Sequence, residues 1–324
     1  MKPAAFWITS VQGGEIRPVS LPGCGPSDVM VRTLYTAVSR GTESLIFNGA
    51  VPVSEYQRMR APFQEGEFPF PVKYGYINVG LVEQGPDHLL GRRVFCLYPH
   101  QSHFVVSADS VTCLPDGLPA ERAVLCANME TALNAVWDAK PMIGDRIAVV
   151  GAGIVGCLVA WLVSRLPGVE VELVDINNHR EAVARHLGLT FRLPQQASGE
   201  RDLVIHASAS EQGLSTSLEL AATEAVVVEL SWYGDKAVSI PLGEAFHSRR
   251  LQIRSSQVGR IAAGQLARWN FSRRLQLAMS LLEEPKLDYL ISGESNFAEL
   301  PQVMHRLVND GRDVLCHRIR YHQC

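Results

Sequence analysis

The residues whose types and spacing are best suited to chemistry lie between positions 145 and 175. Asp145-Arg-Ile-Ala-Val-Val-Gly-Ala-Gly-Ile-Val-Gly156 runs into an apolar stretch, and Glu170-Val-Glu-Leu-Val-Asp175 follows. The order is strand, Gly-x-Gly-x-x-Gly turn, helix, then a second strand ending in an acid. Each part has a physical task in holding a dinucleotide. Gly151 permits a tight turn, Gly153 lets backbone approach a pyrophosphate, and Gly156 lets helix and strand pack closely. The helix starting near Ile154 and Val155 directs N–H groups and partial positive charge at that anion. Asp175 stands 19 residues after Gly156, where a carboxylate accepts hydrogen bonds from ribose hydroxyls. The same carboxylate repels a 2′-phosphate, which points to NAD rather than NADP. Ile176 adjoins it. Arg180 either offsets the charge of Asp175 or is a solvated residue in the first turn of the next helix.

These groups need a sheet to position them, and the flanking sequence supplies one. Strands are expected at 146–150, 170–175, 202–207, 225–231 and 251–256, with helices at about 154–166, 178–187 and 211–222. Their near-continuous Val/Ile/Leu runs suit strands buried on both faces of a parallel sheet. His206 ends one such strand, where it either contacts a ribose of the cofactor or is a satisfied buried histidine, and Ala209 beyond it is expected at the cofactor crevice. Ser231-Trp232-Tyr233 and Ser256-Gln257 also fall at strand ends. The first 118 residues read differently, as short strands (Val29–Thr36, Gly80–Gly85, Arg93–Tyr98, His103–Val106, Val111–Leu114) broken by Gly/Pro/Asp turns, an irregular β-barrel. Helices are expected over Pro119–Lys140, Gln265–Glu284 and Glu299–Val308, with a closing strand at Val314–Ile319.

Composition narrows the possibilities. A chain of 324 residues suggests two domains, and 47% hydrophobic residues are ample for two cores. A formal net charge of −3 gives no electrostatic case for nucleic acid. The basic pairs Arg249-Arg250 and Arg273-Arg274 read as solvated or phosphate-facing. The N-terminus has no signal-peptide apolar core. Ile147 to Val163 is uncharged for 17 residues, but its glycines split it into strand and helix, so no membrane span is expected. Seven dispersed cysteines, none in C-x-x-C spacing, read as reduced cytoplasmic thiols.

A barrel-like first third, a nucleotide fold and a C-terminal helix-plus-strand return resemble the medium-chain dehydrogenase/reductase family. The specific pieces are Ala37-Val-Ser-Arg-Gly-Thr-Glu43, Gly75-Tyr-Ile-Asn-Val-Gly80, Thr131 and the fingerprint at 151–156. The resemblance implies a GroES-like catalytic domain (1–118 and 286–324) and a Rossmann doubly wound domain (119–285), an α/β protein overall. It implies that nicotinamide and substrate meet in the cleft between domains. It also implies that Thr131 touches the nicotinamide end and that Leu251–Val258 pairs with a second subunit in a homodimer. Zinc-dependent members hold metal through a Cys-Gly-Thr-Asp-like and a Gly-His-Glu segment. Here Arg40 (or Ser39, if the gap is placed differently) replaces the cysteine, and Tyr76 and Ile77 replace His and Glu. The third ligand position falls near Ala127, beside Cys126, and the four-cysteine structural lobe is missing. A catalytic zinc takes three protein ligands, so no zinc is expected. His100 and His103 offer only His-x-x-His, which reads as polar surface or cleft histidines. Ser-Arg-Gly-Thr-Glu-Ser-Leu-Ile-Phe-Asn-Gly and Pro71-Val-Lys-Tyr-Gly-Tyr most resemble a zinc-lacking branch that includes the 3-hydroxyethyl bacteriochlorophyllide dehydrogenases. An extra segment, Val51 to Gly66, rich in Arg and aromatics, reshapes the substrate side.

The reaction so implied interconverts an alcohol and a carbonyl on a small molecule, bulky ones included, by hydride transfer with NAD. Without zinc, hydrogen-bond donors must stabilise the alkoxide. Arg40 or Tyr76 is expected to donate to the substrate oxygen and Thr42 to relay the proton, with the neighbouring arginine lowering the phenol pKa from about 10. Other roles stand beside these: Arg40 pairing with Glu43 or a cofactor phosphate, Tyr76 packing, Thr42 capping a helix near Glu43. Glu130 reads as solvated in preference to facing the cleft. Two further readings are a zinc-free enoyl or quinone-type reductase and a non-catalytic NAD-binding sensor.

Overall fold

The computed structural model describes residues 2–321. The chain begins with β1 (Ala4–Ser10), β2 (Gly13–Pro18) and the long β3 (Asp28–Val38), then α1 (Arg40–Phe47). Two short strands follow, β4 (Glu65–Gly66) and β5 (Val72–Lys73), then β6 (Asn78–Gln84), β7 (Arg93–Cys96), β8 (His103–Ser107) and β9 (Thr112–Cys113). Helices α2 (Ala120–Ala123) and α3 (Cys126–Ala139) lead to β10 (Arg146–Val150), α4 (Ile154–Val163), β11 (Glu170–Val174), α5 (Arg180–Leu187) and β12 (Thr190–Arg192). Next come β13 (Arg201–His206), α6 (Glu211–Leu220), β14 (Ala221–Glu229) and β15 (Gln252–Ser255). The chain closes with α7 (Phe271–Leu281), β16 (Ile291–Asn296), α8 (Leu300–Asp310) and β17 (Cys316–Arg320). It separates into two compact units: the chain up to Ala127 with everything from Gln276 onward, and Asn128–Leu275.

In the first unit, a seven-stranded sheet runs in the order β16-β17-β3-β6-β7-β9, with β8 also paired to β3. A four-stranded sheet runs β2-β1-β5-β4. In β3, alternate residues Val29, Val31 and Thr33 are buried, the period-2 pattern of a strand with one face on a core. Val29 and Val31 pack with Val82, Val94 and Phe104. On α8, Leu300, Val303, Met304 and Leu307 are buried, the spacing of one helical face. Each such side chain contributes about 1.5–3 kcal/mol on burial. The turn before α8 begins at Asn296, whose N–H is bonded by Glu299 Oε2 at 2.7 Å in a capping box.

In the second unit, six strands lie parallel in the order β12-β11-β10-β13-β14-β15. The chain moves outward from β10 to β12 and then returns to the other side of β10, so the winding reverses between β10 and β13. Val149, Val204, Ile205, Val227 and Val228 are fully buried. This is the α/β architecture of the expectation, a barrel-like unit with a doubly wound parallel sheet.

Several elements differ in extent from expectation. The Pro119–Lys140 helix is two, α2 and α3. The Gln265–Glu284 helix starts only at Phe271, after Asn270, whose Oδ1 accepts the Arg273 N–H at 2.8 Å and so starts the helix there. The hairpin β1–β2 and the short strands β4, β5 and β12 were not anticipated. No helix among the described residues is long and apolar enough to cross a membrane.

Candidate active site

The glycine turn lies where the winding of the parallel sheet reverses, the position at which such sheets bind ligands. Gly151 has φ +110°, and a Cβ there would stand 2.7 Å from the backbone of Ala207 and Ser208. A Cβ on Gly156 would run into the Gly151 carbonyl oxygen. At Gly153 a Cβ would meet nothing within 4 Å. The first and third glycines therefore close the turn onto the sheet, while the second leaves a backbone cradle open. Gly153 is the extended N-cap of α4, without a side-chain cap, and Ile154 and Val155 form the first turn with no acid among them. This combination fits a pyrophosphate.

Asp175 sits at the mouth of that turn. Its Oδ2 accepts the Ala152 N–H at 2.6 Å and its Oδ1 the Asn177 N–H at 2.8 Å. The carboxylate is thus fixed beside the cradle, where a ribose diol would lie. Ile176 is 82% exposed. Arg180 corrects one expectation: it is buried, 4% exposed, and not a solvated first-turn residue.

Past β13, His206 is fully buried, with Nδ1 2.6 Å from Glu229 Oε2 and Nε2 2.6 Å from Ser208 Oγ. Ser208 Oγ lies 2.8 Å from Ser210 Oγ, which accepts the Gly213 N–H at the start of α6. Ala209 has φ +52° and donates its N–H to Ser231 Oγ at 3.0 Å. Burial pushes the Glu229 carboxyl up, but the hydrogen bond and charge of His206, with Ser231, outweigh it and leave the acid below its usual range. Tyr233 also donates to Glu229, at 3.0 Å.

On α3, Thr131 is half-buried beside Glu130. Glu130 is not solvated, as its sequence context suggested, but 4% exposed. Its Oε1 accepts from Nε of Arg274 at 3.0 Å, and Arg274, only 3% exposed, also reaches Asn134 Oδ1 at 2.9 Å. Arg274 is therefore neither solvated nor phosphate-facing. Burial raises the Glu130 pKa, and Arg274 opposes that rise.

The first unit gathers the other polar residues. Ser39 ends the link from β3 and is the N-cap of α1, which begins at Arg40. Thr42 thus lies inside the first turn and is not its cap. The Tyr76 hydroxyl donates to Ser39 Oγ at 2.6 Å and is also hydrogen-bonded by Thr42. Glu43, 1% exposed, takes the Ser39 N–H on Oε1 at 2.7 Å and His100 Nε2 on Oε2 at 3.0 Å. His100 Nδ1 lies 2.7 Å from Thr36 Oγ1. The Arg40 guanidinium donates to the Gly311 carbonyl. It does not depress the phenol of Tyr76: burial pushes that pKa up to about 12, against the lowering effect of Ser39 and Thr42. Tyr76 is therefore protonated at neutral pH, which corrects the lowered pKa expected of it. Ser39 and the Glu43–His100 pair escaped sequence reasoning. The available signal was an acid four residues after a serine N-cap.

Ser39, Arg40 and Tyr76 present a hydroxyl, a guanidinium and a phenol, not the thiolates, imidazoles or carboxylates that hold zinc. Among the described residues no group of three or more His, Cys, Asp or Glu side chains could hold a metal. His100 is committed to Glu43 and Thr36, and His103 bonds Ser102 Oγ at 3.2 Å.

Comparison with known proteins agrees with the fold. Residues 147–231 match the family model of ketopantoate reductase PanE/ApbA. The chain is 24% identical over 304 residues to D-guloside 3-dehydrogenase of Escherichia coli K12, covering 85% of this chain and 84% of that protein. L-idonate 5-dehydrogenase of E. coli K-12 superposes with a TM-score of 0.80 at 14% identity, over 99% of this chain and 98% of that one. An alcohol dehydrogenase of E. coli CFT073, solved with NADH, gives 0.77 at 16% identity, over 98% and 99%. By its fold and these sequence likenesses, the chain is an alcohol dehydrogenase-like oxidoreductase with the architecture of the medium-chain alcohol and polyol dehydrogenases.

Proposed function

We propose that this protein is a zinc-independent, NAD(H)-dependent oxidoreductase that interconverts an alcohol and a carbonyl. The observation that carries the cofactor reading is the fixed Asp175 carboxylate beside the open Gly153 cradle. Gly151, Gly153, Ile154, Val155 and Gly156 hold the pyrophosphate. Asp175 and Ile176 would meet the adenosine ribose, with Arg180 supporting that corner from within, and Ala209 and Thr131 would serve the rest of the cofactor. Bound there, the nicotinamide supplies the hydride acceptor or donor.

The chain's own residues supply the rest. Tyr76 donates its hydroxyl hydrogen to the substrate oxygen as charge builds on it. Its pKa of about 12 keeps that hydrogen in place. In reduction the alkoxide takes the proton of the Thr42 hydroxyl, which water replaces on half-exposed Thr42, and in oxidation the same proton leaves by that route to water. Arg40, engaged with Gly311, supports the end of α8 and leaves the donor role to Tyr76. The zinc-free resemblance of the Ser39–Gly49 region agrees with this donor set. Behind Tyr76 stands a run of aromatic rings: Tyr74 at 6.0 Å edge-on, then Phe68 and Tyr56. Tyr74 and Phe68 back the phenol as buried core, while the more exposed Tyr56 and Phe63 of the Val51–Gly66 segment agree with a bulky, apolar alcohol.

The test is turnover of a panel of aromatic and aliphatic alcohols and their carbonyls with NAD(H), beside elemental analysis of the purified protein. NAD-linked turnover of apolar alcohols without stoichiometric metal is expected. Stoichiometric zinc, or reduction only of conjugated C=C bonds with NADPH, would overturn the reading.

A further inference from the structure

Glu43 and His100 are each 1% exposed, so neither exchanges its partners with water. Both carboxylate oxygens of Glu43 are used, one by the Ser39 N–H at 2.7 Å and one by His100 Nε2 at 3.0 Å. His100 is anchored in turn through Nδ1 to Thr36 Oγ1 at 2.7 Å, and Thr36 lies 3.4 Å from the Tyr321 hydroxyl. The far edge of the same imidazole lies under the turn that carries Tyr76. A Cβ on Gly75 would stand 3.0 Å from His100 Cδ2, and Gly75 has φ +127°, so only glycine lets that turn rest on the ring. One buried ring therefore registers the start of α1 on one side and the Gly75-Tyr76 turn on the other.

The two sides meet at the 2.6 Å contact between the Tyr76 hydroxyl and Ser39 Oγ. A phenol has one hydrogen. While Tyr76 gives it to Ser39, it cannot give it to a substrate. When the phenol turns its hydrogen to a substrate oxygen, its own oxygen keeps the Thr42 hydroxyl and is free to accept a second hydrogen bond, and the serine hydroxyl beside it has the hydrogen to give.

We propose that Ser39 is the hydroxyl that donates to Tyr76 when Tyr76 donates to substrate, and that the Glu43–His100 pair is the positioning device that holds Ser39 there. The proposal rests on the role given above to Tyr76. It assigns a role to Ser39, Glu43 and His100, and it makes a buried acid–imidazole pair the scaffold of the phenol.

Four variants in the full-length chain test it: Ser39→Ala, Ser39→Thr, His100→Asn and His100→Gln. The readouts are kcat and KM for the best carbonyl of the panel with NADH, thermal melting, and amide exchange at Ser39. Ser39→Ala is expected to lower kcat by about tenfold to a hundredfold with KM little changed, and Ser39→Thr to restore most of it. His100→Asn keeps a partner for Thr36 but does not reach Glu43. It is expected to lower kcat similarly and to speed exchange of the Ser39 amide at least tenfold. His100→Gln, long enough to reach Glu43, is expected to recover both. An unchanged kcat in Ser39→Ala, or losses that follow melting temperature and spare the exchange rate, would overturn the proposal. If the unaltered protein turns over no carbonyl, the functional reading fails separately. The exchange arm then still decides the pair, because unchanged Ser39 protection in His100→Asn contradicts it.

Discussion

Tyr76 shows how burial decides what a side chain does. Beside an arginine in the sequence pattern, the phenol looked set for a lowered pKa. In the fold Arg40 is drawn to the carbonyl of Gly311, 271 residues away in sequence, and burial dominates instead. A pKa pushed up to about 12 means the phenol keeps its hydrogen through neutral and moderately alkaline solution. Tyr76→Phe is accordingly expected to cut kcat by about a hundredfold to a thousandfold, roughly 3–4 kcal/mol, with KM changed far less. The pH–rate profile of the unaltered enzyme is expected to show no loss assignable to Tyr76 below about pH 10, because the donor form is the one burial favours. A falling alkaline limb near neutrality that disappears in Tyr76→Phe would contradict this. Position in the motif singled out Arg40, Thr42 and Tyr76 as candidates. Their directions were not legible: an arginine's reach spans several partners, and the Glu43–His100 pair joins residues 57 apart.

At the level of elements, the three glycines of the turn predict a dissociation of stability from binding. A Cβ at Gly156 collides with the Gly151 carbonyl, so Gly156→Ala must push α4 off the sheet and lower the melting temperature. A side chain at Gly153 meets only open space, and its φ of −73° suits any residue. Gly153→Val is therefore expected to fold with near-native stability and to weaken NADH binding at least tenfold, read by calorimetry. Equal NADH affinity in Gly153→Val would remove the pyrophosphate from this turn. The Glu130–Arg274 contact makes a second prediction. Both groups are buried in one unit and each is the other's counter-ion, so Glu130→Ala strands a charged guanidinium. A loss of about 3–5 kcal/mol in denaturant unfolding is expected. A loss under 1 kcal/mol would mean that water reaches Arg274.

Sequence periodicity exposed most of the long elements; it passed over β1, β2 and β16, and it missed the shortest strands for a plain reason. The runs at 147–150 and 203–205 are apolar throughout because both faces are covered, and β3 alternates because one face is. The two-residue strands β4 and β5 and the three-residue β12 are too short to carry a period. They exist because neighbours supply backbone partners, as Glu172, Leu173 and Val174 do for β12. Likewise Glu130 and Arg274 look like ordinary charges on helix faces. Only the meeting of segments 144 residues apart shows that both are buried.

Over the whole molecule, a parallel-sheet unit fixes an acid beside an open glycine cradle, and a barrel-like unit assembles a buried hydroxyl and phenol set. The central claim is that the first of these selects a nicotinamide dinucleotide lacking a 2′-phosphate. Calorimetric titration of the intact protein with NADH and, separately, NADPH tests it most directly. The carboxylate of Asp175 against a phosphate should weaken NADPH by at least about tenfold, or 1.4 kcal/mol, relative to NADH. Saturable NADH binding with that preference is the predicted result. No heat with NADH, or tighter binding of NADPH, would contradict the account.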